Sequence, residues 1–201
     1  MTDSSSEFQV HLRVGEAGIG VLEWSGRTQQ ETVDRAVSLA SDDGLIARGL
    51  RRIEVSLPAT DLVGRRALQR AGFRLEGTRR QAHEAPDGAF VDVVLYARLA
   101  SDLVYGSGGF TGVMNSVLPR KRLIAHALIT DSWDRVRLLE TTFKDDWELP
   151  GGTVNQYESP GQGAVREIHE ELALDMEVGR VLAIDWLAPY LGWEDAVELI
   201  F

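Results

Sequence analysis

The chain has 201 residues, is 44% apolar, lacks cysteine and carries a formal net charge of −10. Without cysteine there is no disulfide framework, no thiolate metal site and no thiol nucleophile, and no run of about 18 apolar residues is present to span a membrane. The opening "MTDSSSEFQV" has neither the basic nor the apolar region of a signal peptide, so a cytoplasmic protein with no membrane partner is expected.

In chain order, "FQVHLRV" and "GIGVLEW" alternate like strands. Val33, Ala36, Val37 and Ala40 recur at helical spacing, which predicts a helix over 32–50. "RRIEVSL" reads as a strand bounded by Pro58. Thr60 or Asp61 then caps a helix running to about Ala71, with Gly72 just past its end. "FRLEGTRRQAHEA" and "AFVDVVLYARL" form a hairpin through "PDG". This is an α/β order, and it defines a first unit over 1–100.

Ser101 to Leu118 is rich in Gly and Ser and reads as a linker or extended connection, with the linker placed over 101–117. A second unit, 118–201, holds the strand-like runs "KRLIAHALITD", "DRVRLLETTF", "MEVGRVLAIDWLAPY" and "DAVELIF". The last stops at Phe201 inside an apolar pattern. An apolar edge there invites pairing with another chain, so a homodimer is one expectation. Charge separates between the halves. Residues 1–100 hold 13 Arg and 14 acids, whereas 101–201 hold 8 basic and 17 acidic groups. The acidic half is a poor match for a nucleic-acid backbone and a good one for divalent cations.

The chemistry concentrates in "GGTVNQYESPGQGAVREIHEEL", Gly151 to Leu172. A helix from about Gly163 to Leu172 turns Ala164, Val165, Ile168 and Leu172 toward a core and gathers Glu167, Glu170 and Glu171 on the remaining face. Like charges at such spacing repel by a few tenths of a kcal/mol per pair, so something should offset them. Oxygen ligands beside a glycine turn suit Mg²⁺ and the phosphates it brings. From Gly152, the pattern is Gly, five residues, Glu158, seven residues, Arg166-Glu167-Ile168, one residue, Glu170-Glu171, one residue, Ala173-Leu174. This resembles the Nudix box at every defined position except Ala173, where the family has glycine. "WELPGG" and "ESP" look like the same family.

The resemblance, from about Pro119 to Phe201, implies an α/β/α sandwich whose C-terminal part is expected to be missing. It implies a hydrolase acting on phosphoric anhydride bonds, namely a Mg²⁺- or Mn²⁺-dependent cleavage of a nucleoside diphosphate linked to another moiety. It further implies Glu167, Glu170, Glu171 and the Gly151 carbonyl as metal ligands, Glu167 as the base near the attacking water, and Arg166 orienting it. Gly152 and Glu158 would support the loop, with Glu158 pairing to Arg166. Glu194, Asp195 and Glu198 are further acids near the end. A nucleotide-binding module that does not cleave its ligand is the alternative.

The first unit resembles the C-terminal half of a GNAT N-acetyltransferase through "RAGFRLEG" and the strand from Asp92 to Tyr96. Such a site cradles the acetyl-CoA pyrophosphate in a glycine-rich loop before a helix. "GRTQQETVDRAV" stands in that place without the two motif glycines. A degenerate unit with no cofactor-binding residues is expected, with acetyl transfer as the other reading. His11 and His126 read as structural and His169 as an exposed bystander. Trp147 reads as packing a strand end. Trp186 and Trp193 read as packing residues, with stacking on a base as the alternative.

Overall fold

The computed structural model describes residues 8–142 and 145–201. Residues 1–7, counted above with the first unit, and Phe143, at the end of an expected strand, lie outside the described residues. Two compact units follow one another, Met1–Leu118 and Pro119–Phe201.

In the first unit, β1 (Gln9–Val14) and β2 (Ile19–Ser25) pair antiparallel across a short turn. α1 (Gln30–Asp42) leads through a π-helical turn, Asp43–Ala47, to β3 (Arg52–Pro58). α2 (Leu62–Arg70), β4 (Arg74–Glu84) and β5 (Phe90–Leu99) complete the series. The sheet order is β1-β2-β3-β5-β4, and β2 and β3 are its parallel pair. Along β3 the pleat turns Ile53, Val55 and Leu57 inward. There they meet Leu22, Val37, Leu68, Phe73 and Tyr96 in one core.

Two expectations shift, and the choice between two caps is resolved. The first helix stops at Asp42 rather than Leu50, because the Arg48 and Leu50 amides return to the carbonyls of Asp43 and Gly44, at 2.9 and 3.0 Å. Asp61, not Thr60, caps α2, accepting the Gly64 N–H at 2.8 Å. Where a linker was expected over 101–117, the chain forms α3 (Gly106–Val117). Its Val113 is buried, and its Ser116 hydroxyl accepts the Leu75 N–H of β4 at 3.0 Å. Six of its twelve positions are Gly or Ser, weak helix formers on their own, so contact with β4 rather than propensity fixes it.

In the second unit, β6 (Arg122–His126), β9 (Gly151–Thr153), β10 (Ala183–Leu187) and β11 (Ala196–Ile200) form a sheet ordered β10-β11-β6-β9. The apolar terminal strand expected at an edge therefore lies inside the sheet, antiparallel to β10 and parallel to β6. Among the described residues of "DRVRLLETTF", only β7 (Leu139–Glu140) is strand, paired with β8 (Trp147–Glu148). α4 (Pro160–Leu172) packs on β6 and β9. Among the described residues no helix is long and apolar enough to cross a membrane.

Candidate active site

α4 begins one turn earlier than its apolar spacing indicates. Ser159 and Gln162 form a reciprocal capping box, and Pro160 occupies the first turn. Ala164 and Ile168 are buried beneath the helix, with Gly163 at its base. At the far end Ala173 takes the left-handed conformation, φ 53° and ψ 36°. A Cβ there costs on the order of 1 kcal/mol. Ala173→Gly is expected to stabilise the protein by about 0.5–1 kcal/mol, part of the gain being offset by the entropy of glycine in the unfolded chain. A thermal melt should show Tm rising by roughly 1–4 °C.

Arg166 lies at the centre of the carboxylate face. Its Nε and Nη2 donate to the two Glu158 oxygens at 3.0 and 3.1 Å. Its Nη1 donates to Glu167 Oε1 at 2.7 Å and Glu170 Oε2 at 3.2 Å, and Nη2 also reaches the Thr153 carbonyl at 3.0 Å. One guanidinium thus spans three carboxylates and ties α4 to β9 and the intervening loop. Arg166 holds Glu158 below the usual carboxylate range, helped by the Asn155 N–H. Glu158 and Glu167 in turn raise Arg166 above its ordinary value.

Glu171 points elsewhere. Its Oε2 accepts the Gly151 N–H at 2.9 Å. Although much of the residue is exposed, burial of its carboxyl pushes the pKa up. The Gly151 N–H opposes this, the charges of Glu167 and Glu148 add to it, and His126 counteracts. Gly151 is sterically required by the backbone, and Gly152 leaves space for a side chain. A Cβ at Gly151, where φ is +143°, would fall 2.2 Å from the Ala125 carbonyl oxygen. One at Gly152 would fall 2.8 Å from the Glu167 carboxylate.

These residues fit a hard divalent cation by donor chemistry. Glu167, Glu170, Glu171 and the Gly151 carbonyl offer only oxygen, and the Gly152 cradle keeps room for the Glu167 carboxylate. Among the described residues no three acidic or histidine groups are already drawn together as a ligand set. The reason is visible in the hydrogen bonds: Arg166 engages Glu167 and Glu170, while the Gly151 amide engages Glu171.

The glycine turn and Glu171 open into a cleft of about 640 Å³. Its sheet side is built by Arg122, Ile124 and His126, which alternate with the inward Leu123 and Ala125 along β6. Its outer wall includes Leu187, Tyr190 and Trp193. His126 Nδ1 pairs with Glu198 of β11. Asp195 pairs with Lys121 and accepts the Trp186 indole N–H at 2.9 Å. Glu198 and Asp195 are therefore committed to other side chains, and Arg122 donates to the Glu194 carbonyl. His169 is exposed and meets Asp175 at 2.9 Å. The three tryptophans read as packing residues are not buried: Trp147, Trp186 and Trp193 are each more than half exposed. β6 alternation was the available signal for Arg122 and His126 on the cleft side. Nothing local marks Tyr190.

The second unit matches the NUDIX domain model over residues 120–201. A curated relative is diphosphoinositol polyphosphate phosphohydrolase 2 of Mus musculus. It is 35% identical over 66 residues, covering 32% of this chain and 37% of that protein. The chain thus spans little more than a third of the length of the curated relatives it matches first. Similar solved structures include the MutT protein from Methanosarcina mazei Go1, at 27% identity and a TM-score of 0.35, covering 40% of this chain and 61% of that one. They also include ribosomal-protein-S5-alanine acetyltransferase from Vibrio fischeri, at 21% identity and a TM-score of 0.42, covering 47% and 55%. Residues 120–201, which match the NUDIX domain model, carry the motif from Gly152 to Leu174 on a loop and helix.

Proposed function

We propose that the second unit is a Mg²⁺-dependent pyrophosphohydrolase acting on a nucleoside diphosphate linked to another moiety. The observation that carries this reading is the guanidinium of Arg166 bridging Glu158, Glu167 and Glu170 beside the Glu171–Gly151 contact at the mouth of a cleft. Glu167, Glu170, Glu171 and the Gly151 carbonyl would hold the cation. Mg²⁺, when bound, neutralises phosphate charge and lowers the pKa of water. Glu167 accepts the proton of the attacking water. The water oxygen bonds to phosphorus, and the anhydride P–O bond breaks with its electron pair leaving on the departing phosphate oxygen. Arg166 fixes the direction of the Glu167 carboxylate, and Glu158 fixes Arg166. The Gly152 backbone leaves that carboxylate its space.

The test is phosphate release over a panel of nucleoside diphosphate derivatives with Mg²⁺. Glu170→Gln and Glu171→Gln are each expected to lower turnover by about 10²-fold or more, because each removes charge stabilisation of several kcal/mol. Chelating the cation should abolish turnover in the parent. Variants as active as the parent would sink this assignment.

A further inference from the structure

Strand β10 is an edge of its sheet. β11 pairs with one side of it, and no described strand pairs with the other. Its outer N–H and C=O groups are therefore open to a further strand. The approach to β10 and the strand itself are apolar and exposed. Leu182, Ile184 and Trp186 are 53%, 69% and 59% exposed, and Val181 adds to the row. Trp186 is nevertheless fixed, because Asp195 accepts its indole N–H at 2.9 Å. Solvent-facing edges are normally blunted by Lys, Pro or a bulge, and this one is not.

Two charges bracket the apolar row. Arg180 precedes it, is exposed, and has no ion-pair partner among the described residues. Asp185 accepts the Trp186 N–H at 2.8 Å and has no cation of its own. Its partner position on β11 is Glu198, a like charge already taken by His126. Acids placed directly opposite each other repel, so whatever covers this edge should bring a positive charge to Asp185. A second copy of β10 does so. In an antiparallel pairing about a two-fold axis, a residue before the axis on one copy faces one after it on the other. With the axis between Leu182 and Ala183, each Arg180 meets the other copy's Asp185, and Val181 meets Ile184. Trp186 then faces Gly179, whose Cβ position has nothing within 4 Å.

We propose that this chain forms a two-fold dimer through β10, with Arg180 of each copy paired to Asp185 of the partner subunit. The two four-stranded sheets then become one continuous sheet with β10 at its centre. The self-association expected from the terminal apolar strand thus moves one strand outward. The dimer does not depend on the hydrolase reading.

Sedimentation of the full chain over a concentration series tests it. The parent is expected to pass from monomer to dimer in the micromolar range, because one strand pair with its apolar row is a small interface. Arg180→Asp and Asp185→Arg are each expected to raise the dimer dissociation constant about tenfold or more, since each sets like charges face to face. The double reversal rebuilds both pairs and should return the constant close to the parent's. Ile184→Ser, which touches neither charge, should weaken the dimer as well. Both charged side chains are exposed, so melts taken below the dimerisation range should match the parent. A parent that stays monomeric at every concentration overturns the proposal. So does a dimer that ignores the single reversals, or one that the double reversal fails to rescue.

Discussion

Glu167→Gln is expected to lower kcat by roughly 10²–10⁴-fold, the usual worth of a positioned proton acceptor. The amide keeps the size of the side chain and an oxygen for Arg166 Nη1, now 2.7 Å from Glu167 Oε1. It also still fits above Gly152, whose Cβ position lies 2.8 Å from this carboxylate. What is lost is the ability to take a proton and to offer a charged oxygen to the cation. Stability should change little, and a thermal melt beside the steady-state assay separates the two effects. A Glu167→Gln protein with near-parental kcat would remove Glu167 from the role of base.

Arg166→Lys is the second large effect, and it tests positioning. The guanidinium makes five hydrogen bonds in different directions, two to Glu158, one each to Glu167 and Glu170, and one to the Thr153 carbonyl. A lysine keeps the charge but has three donors on a single point and no planar fork. Glu158 and Glu167, largely shielded by the protein, would then share an ammonium that cannot reach both with good geometry. We expect kcat to fall on the order of 10²-fold, as misplacing a reacting group by about 1 Å does, and Tm to fall as well. KM should move less than kcat, because Arg166 acts through Glu167. A loss confined to KM would mean that Arg166 touches substrate instead.

The carboxylate crowding in "REIHEEL" looked, from sequence, like a vacancy for a cation. The tertiary arrangement adds a second answer. Arg166 already offsets the repulsion between Glu158, Glu167 and Glu170, and Glu171 is turned away to the Gly151 amide. Arg166 and Glu158 are eight residues apart, across a loop whose Asn155 N–H also holds Glu158 at 2.8 Å. Helical periodicity says nothing about such a reach.

What the sequence determined alone was local. Helix α4 follows from the spacing of Ala164 and Ile168, although its start after Ser159 lies one turn before the expected Gly163. The hairpin of β4 and β5 follows from the turn signal between them. These depend on neighbours a few residues apart, where backbone geometry leaves few choices. What only the tertiary structure decided lies between distant segments. Glycine-rich 106–117 became a helix because β4 offered it a partner. The terminal apolar strand entered the sheet between β10 and β6, which sets Glu198 against His126, 72 positions away, and the Glu194–Asp195 corner against Arg122 and Lys121. The cleft wall of Trp193 on Arg122 comes from that same insertion. Strand pairing joins such segments through backbone hydrogen bonds common to every residue, so no local pattern of side chains announces which strands will meet.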